Sequence, residues 1–269
     1  MTAKKKTEMA KATSTAMATS EVPDWMDLGD NSGSEEVGMS DITIPRIELV
    51  QALSPCRIKS EDAYIEGAEE GMLYNTVTNE LYGETLQVIP VYFTKQWLVW
   101  VDRKKMQSPP QSFFGAYNSL EEANEAIESM DLGENENLRP MLEAIETAQN
   151  YCLTVVGGDV QQVLISMAKT KLKIARDWNS LIRRNMGARY SSVYTIGASY
   201  EKKPKGSYYN YSIANSGEAG KVARVGDREV YEKAAEMCNL LKSGALNFKS
   251  DYEEDEIKDA EAVADDSEI

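Results

Sequence analysis

Residues 151–168, YCLTVVGGDVQQVLISMA, constrain the fold more than any other stretch of this chain. Two apolar runs of strand composition meet at Gly157, Gly158 and Asp159, residues that tolerate the positive φ of a tight hairpin turn. The period then changes. TKLKIARDWNSLIRR, residues 170–184, gathers Leu172, Ala175, Trp178, Leu181 and Ile182 on one side of a helix, with Thr170 as its expected cap. A second hairpin follows, formed by YSSVYTIGASY and SYYNYSIA around the loop EKKPKGS. Hairpin, helix, hairpin leaves few topologies open.

Upstream, TLQVIPVYFTKQWLVWV (85–101) is dense in branched and aromatic residues and reads as one long strand. ITIPRIELV (42–50) and GMLYNTVT (71–78) read as short strands or extended connections, with Pro45 keeping the first near an edge. NSLEEANEAIESM reads as a helix, with Ser119 and Glu122 as a capping box and Leu120, Ala123 and Ile127 as its apolar stripe. MDLGENENLRP reads as a polar loop, and REVYEKAAEMCNLLKSG as a last helix stopping at Gly244. The expected class is mixed α+β and β-rich. Strand, strand, strand, helix, strand, strand is the order of an OB-fold, a small five-stranded barrel. That assignment makes 102–147 a helical insertion between the first two strands, with further helices flanking the barrel. A plain α+β sandwich is the alternative.

At 269 residues the chain suits one large domain or two small ones. Residues 1–40 are dominated by Ala, Thr, Ser, Lys and Glu with no sustained period, so this segment is expected to be disordered. Residues 41–249 are read as a single OB-like domain, and 250–269 as a disordered acidic tail. The lysines at 4–6 precede no apolar run, and no stretch reaches membrane-spanning length, so a soluble, cytoplasmic protein is expected.

The chain has no histidine, which removes most zinc-site types, the Ser-His-Asp and Cys-His nucleophile systems and the commonest general base. Cys56, Cys152 and Cys238 are too far apart for a CxxC pair and odd in number. Neither GxxxxGK[ST] nor GxGxxG is present to hold a nucleotide. The expectation is a protein that is not an enzyme and uses neither cofactor nor metal.

The net charge of −15 hides a division. Residues 250–269 carry ten acids against Lys258, a net of −9, whereas residues 169–228 carry thirteen Lys or Arg against four acids, a net of +9. A basic stretch within the body and an acidic tail together make overall acidity a poor guide to the partner. The tail can serve solubility alone. It can also dock a basic-rimmed pocket on another protein through Asp251, Glu253, Glu254, Asp255, Glu256, Asp265, Asp266, Glu268 and the terminal Ile269.

YEKKPKGSYYNY, residues 200–211, packs four tyrosines and three lysines into twelve positions. Rings suit the π-faces of unpaired bases and ammonium groups suit phosphates. The candidate nucleic-acid contacts here are Tyr200, Lys202, Lys203, Lys205, Tyr208, Tyr209 and Tyr211. Lys169, Lys171, Lys173 and Arg176 on the basic helix face join them. Alternation sets Tyr209 and Tyr211 on one face and Tyr208 on the other, so about half of these rings belong to the core. Trp97 and Trp100 point to opposite faces of their strand, so at most one meets a ligand, and Trp97 is the candidate. Trp178 lies among apolar helix positions and reads as core.

ITIPRIELVQALSP, VLISMAKTKLKIARDWNSLI, GSYYNYSI and the acidic tail together resemble a bacteriophage single-stranded DNA-binding protein over roughly residues 42–215. The resemblance implies an OB-fold holding the strand and DNA contact in the 200–211 region. It also implies that 251–269 meets replication proteins such as polymerase or helicase, and that the protein works in the host cytoplasm. The longer N-terminal extension, the helical insertion and the lack of a terminal aromatic depart from that pattern. The expected function is non-catalytic, largely sequence-independent binding of single-stranded DNA in phage replication, recombination or repair. Two other readings stay open: a metal-dependent nuclease or other DNA-processing enzyme, and a strand-annealing or structural phage protein.

Overall fold

A computed structural model describes residues 44–244, apart from 62, 103–104, 106–111, 205 and the side chain of Lys203. The terminal segments 1–40 and 250–269, on which two of the sequence expectations fall, lie outside it. The described chain is mixed α+β, strand-rich and antiparallel. β1 (Ile47–Leu49), β2 (Leu73–Asn75) and β3 (Leu81–Gly83) form a small sheet in that order. The large sheet contains β4 (Thr85–Val101), β5 (Phe113–Tyr117), β6 (Leu142–Val156), β7 (Asp159–Ala168), β8 (Ser192–Lys203), β9 (Gly206–Asn215) and β10 (Ala223–Arg224). Three α-helices accompany them among the described residues: α1 (Leu120–Ser129), α2 (Leu172–Arg184) and α3 (Arg228–Ser243).

Hydrogen-bonded neighbours run β9-β8-β4-β6-β7, with β5 added to the far half of β4 and β10 to the start of β8. β6 and β7 meet through the two-residue turn Gly157-Gly158, at φ 62° and 101°, with Val156 opposite Asp159. β4 is long because it serves two partners. Its first residues, Thr85–Val88, pair with β8, while β6 follows it from Val88 to Val101. Pro90 falls just where β8 has left and the β6 register shifts, which is where a strand tolerates a residue without an N–H.

The closed barrel expected from the element order is absent, since β7 and β9 share no ladder among the described residues. The segment 44–51 stands between them instead. Leu164 N donates to Pro45 O at 2.8 Å on the β7 side. On the β9 side Tyr211 Oη donates to Ile47 O at 2.8 Å. The Gln51 side chain then pairs with the Tyr209 backbone through Nε2 to O at 2.8 Å and N to Oε1 at 2.9 Å.

Inside this curved sheet the core gathers Val88, Cys152, Ile165, Met167, Tyr194 and Ile196, with Trp178, Ala175 and Ile182 of α2 packed against them. On the outer face α3 covers Ile89, Val91, Leu153 and Leu164 with Val230, Ala234, Met237 and Cys238. α3 opens on Asp227, whose side chain accepts from Glu229 N and Val230 N, and closes on Gly244 at φ 70°. α2 starts one residue later than expected. Lys171 occupies its N-cap with no side-chain hydrogen bond, and Thr170 belongs to the 3-10 turn Lys169–Lys171 before it.

The inserted segment adds a strand as well as a helix. β5 and α1 build their own small core of Val99, Val101, Phe114, Ala123, Leu132 and Leu138. Ser119 caps α1 by accepting from Glu122 N at 3.1 Å. At the other end Arg139 takes the α1 carbonyls of Ile127, of Glu128 at 2.9 Å and of Met130 at 2.6 Å. The polar loop predicted before β6 is mostly a 3-10 helix, Gly133–Met141.

Candidate functional site

A groove of about 390 Å³ crosses the outer face of β4, β6 and β7 beyond the region that α3 covers. Alternation decides its floor: Leu98 and Trp100 of β4, Ile145 and Thr147 of β6, and Ser166 and Ala168 of β7 turn the same way. Ser166 is fixed by a short hydrogen bond from its hydroxyl to Gln149 Oε1. Trp100 is partly exposed and leans on Phe113, ring centroids 4.9 Å apart at 53°. Three cations stand along the walls: Arg46 beside β1, and Lys169 and Lys171 in the 3-10 turn before α2.

Each cation has a partner. Arg46 Nη1 lies 2.9 Å from Glu48 Oε1, and Lys169 Nζ lies 3.6 Å from Glu143 Oε2. Lys169 holds φ 53°, a left-handed conformation uncommon for a residue with a side chain. Lys171 Nζ sits over the Tyr211 ring at 4.8 Å from its centroid. Burial pulls its pKa below the ordinary lysine value, Glu48 opposes that shift, and Arg46 reinforces it. The arrangement offers a ring, a mostly apolar floor and positive charge, which suits a ligand combining flat aromatic groups with anions.

The residues singled out from sequence divide among four places. Lys169 and Lys171 reach the groove. Lys173 and Arg176 are exposed on α2, where Arg176 Nε donates back to Leu172 O at 3.3 Å. Apart from Trp97, the rest of the described set belongs to the β8–β9 hairpin. Tyr211 is a core ring, 3% exposed. Tyr209 is half-buried, and a Cβ on Gly71 would come within 2.9 Å of its ring. Tyr208 Oη donates to Glu201 Oε2 at 2.8 Å, and Asn210 Nδ2 donates to the other oxygen of that carboxylate at 2.8 Å. Tyr200 is the open ring of the four, 57% exposed and edge-on to Tyr209 at 5.4 Å. Lys202 is exposed, while the Lys203 side chain and Lys205 lie outside the described residues.

From Tyr211 to Gly206 the strand runs about 17 Å, so the hairpin tip and the groove are separate surfaces. Trp97 is half-buried against the core of the inserted segment, on the face of β4 opposite Trp100. Arg46, Trp100 and Ser166 are the groove residues that the sequence expectation missed. Parity alone could have separated Trp100 from Trp97. Choosing between them required knowing which face the insertion covers.

Among the described residues no group of three or more Cys, Asp or Glu is placed to hold a metal ion, and no helix is long and apolar enough to cross a membrane. No curated protein and no solved structure matches the chain. A family model described as Pam3 phage gp34-like protein matches residues 11–247, most of its length. By that match the chain belongs to the Pam3 phage gp34-like family of bacteriophage proteins.

Proposed function

We propose that this protein binds single-stranded DNA, without catalysis and with little sequence preference, during phage replication, recombination or repair in the host cytoplasm. The observation that carries this reading is the groove in which Trp100 lies among Arg46, Lys169 and Lys171. A base stacked on an aromatic side chain contributes about 1–3 kcal/mol, and it does so for any base. Lys169 gives up Glu143 for a phosphate at little cost, because that exposed ion pair is weak. Fold supports the reading too. The neighbour order β9-β8-β4-β6-β7, with α2 between β7 and β8 in the chain, is compatible with an OB-like sheet left open where segment 44–51 stands.

In the same reading, the acidic tail 250–269 competes for the groove when DNA is absent. It recruits replication proteins, polymerase or helicase among them, once DNA fills the site. The deciding experiment is a tryptophan and tyrosine fluorescence titration with oligo-dT over a salt series, on the full chain and on a chain lacking 250–269. With roughly four phosphates neutralised, log K should fall against log[salt] with a slope near −3, using about −0.7 per contact. The shortened chain should bind more tightly at low salt. A salt-independent affinity would refute the groove reading, and equal affinity of the two chains would refute the tail competition.

A further inference from the structure

On the opposite face of the same strands, a second cavity of about 240 Å³ opens between α2 and the β4–β6 pair. Glu146 and Ala148 line it, whereas Ile145 and Thr147 line the groove, and successive strand residues face opposite sides. The cavity has one aromatic surface, the half-buried ring of Phe93, held by the Arg189 guanidinium 5.3 Å from its centroid. Ala148 of the strand and Ala175 of the helix also line it. Neither reaches past Cβ, so the space between helix and sheet is left as a slot.

Of the four polar side chains around the slot, Lys95, Arg176 and Asn179 carry donors, and the fourth is the Glu146 carboxylate. Asn179 Oδ1 accepts from Arg189 Nη1 at 2.7 Å, and the Asn179 NH2 has no acceptor among the described residues. Arg176 commits only Nε, to Leu172 O, and its terminal nitrogens have no partner among the described residues. Lys95 and Glu146 pair at 2.6 Å, with Lys95 exposed. An aliphatic ligand would make no use of the Asn179 and Arg176 donors, and an inorganic anion would leave the ring and the slot unused. A nucleotide uses both.

The geometry points to a nucleotide site on the α2 face, with the base against Phe93 beside the two alanines. The acceptor edge of the base meets the Asn179 amide, and its phosphate meets Arg176 and Lys95. The nucleotide comes either from a DNA strand or from a free nucleoside monophosphate, and the site does not require the groove to bind DNA.

The test is an NMR titration of the full ¹⁵N-labelled chain with dTMP, thymidine, inorganic phosphate and oligo-dT, followed through the Asn179 side-chain amide and the Ala148 and Ala175 backbone amides. Shifts with dTMP identify a free nucleotide as a ligand, and shifts with oligo-dT alone identify the strand. Arg176→Glu, at an exposed position, should weaken the effective ligand about tenfold, the size of one charge-assisted contact. Trp100→Leu, in the groove, should leave the dTMP response unchanged. Phosphate shifting these signals as far as dTMP does would overturn the base slot in favour of a plain anion site. Oligo-dT moving Trp100 and Ser166 while Asn179 answers neither ligand would overturn this site and leave the groove reading standing.

Discussion

Gln51 follows β1 and sets its side-chain amide against the outer edge of β9, acting as a substitute for one residue of a neighbouring strand. Gln51→Ala removes both hydrogen bonds to Tyr209 and leaves a backbone N–H and C=O of a half-buried strand without them. At about 0.5–1.5 kcal/mol net for each, the loss is about 1–3 kcal/mol. A domain of this size loses about 2–4 °C of melting temperature per kcal/mol, so the midpoint should fall by about 2–12 °C. Hydrogen exchange gives a local readout. The Tyr209 amide donates to Gln51 Oε1, so its exchange should accelerate in the variant more than that of neighbouring β9 amides. Gln51→Glu separates the two bonds. A carboxylate still accepts from Tyr209 N but cannot donate to Tyr209 O, and its second oxygen repels that carbonyl, so the variant should recover little of the loss. An unchanged midpoint with an unchanged Tyr209 exchange rate would refute the reasoning that this amide seals the β9 edge.

Two further outcomes are expected. Trp100→Leu should weaken oligo-dT binding about tenfold or more with little change in stability, as one lost base stack requires. Trp97→Leu should cost about 1–3 kcal/mol of stability and leave binding intact, because its ring packs in the insertion's core. The opposite pattern would put the ligand on the wrong face of β4. Lys171 gives a pH signature. Its pKa is lowered from the ordinary 10.5, so the folded chain releases this proton before the unfolded chain does. In the window just below 10.5 the unfolded state therefore holds more protons, and this group makes stability rise with pH there. Urea midpoints of wild type and Lys171→Met, compared at neutral and at alkaline pH, should show that rise only with the lysine present. A variant that keeps the same rise would remove Lys171 as its source.

What was legible in the sequence is what short-range chemistry decides. Gly157-Gly158 announces its own hairpin, Ser119 with Glu122 announces a helix start, and Gly244 announces a helix end. The α2 face was readable because Trp178 and Ile182 recur at helical spacing, and both are buried. The bridging role of 44–51 was not readable. It depends on Pro45 O meeting Leu164 N and on Gln51 meeting Tyr209, and no local pattern records partners so far along the chain. β5 was missed because a five-residue strand gains its identity only from the half of β4 that β8 leaves unpaired. The tyrosine-rich hairpin divides its rings in a way that composition does not record. Its composition suits a ligand, yet Tyr211 is spent on the core and Tyr208 on Glu201.

The seam between Gln51 and Tyr209 joins residues 158 positions apart. During synthesis at about 5–20 residues per second, the apolar groups of Ile44, Ile47, Leu49 and Val50 would leave the ribosome roughly 8–30 s before β9 does. A nascent chain of this protein therefore carries a sticky leading edge through most of its own translation. Its slowest folding event should be the docking of that edge, with aggregation as the competing fate.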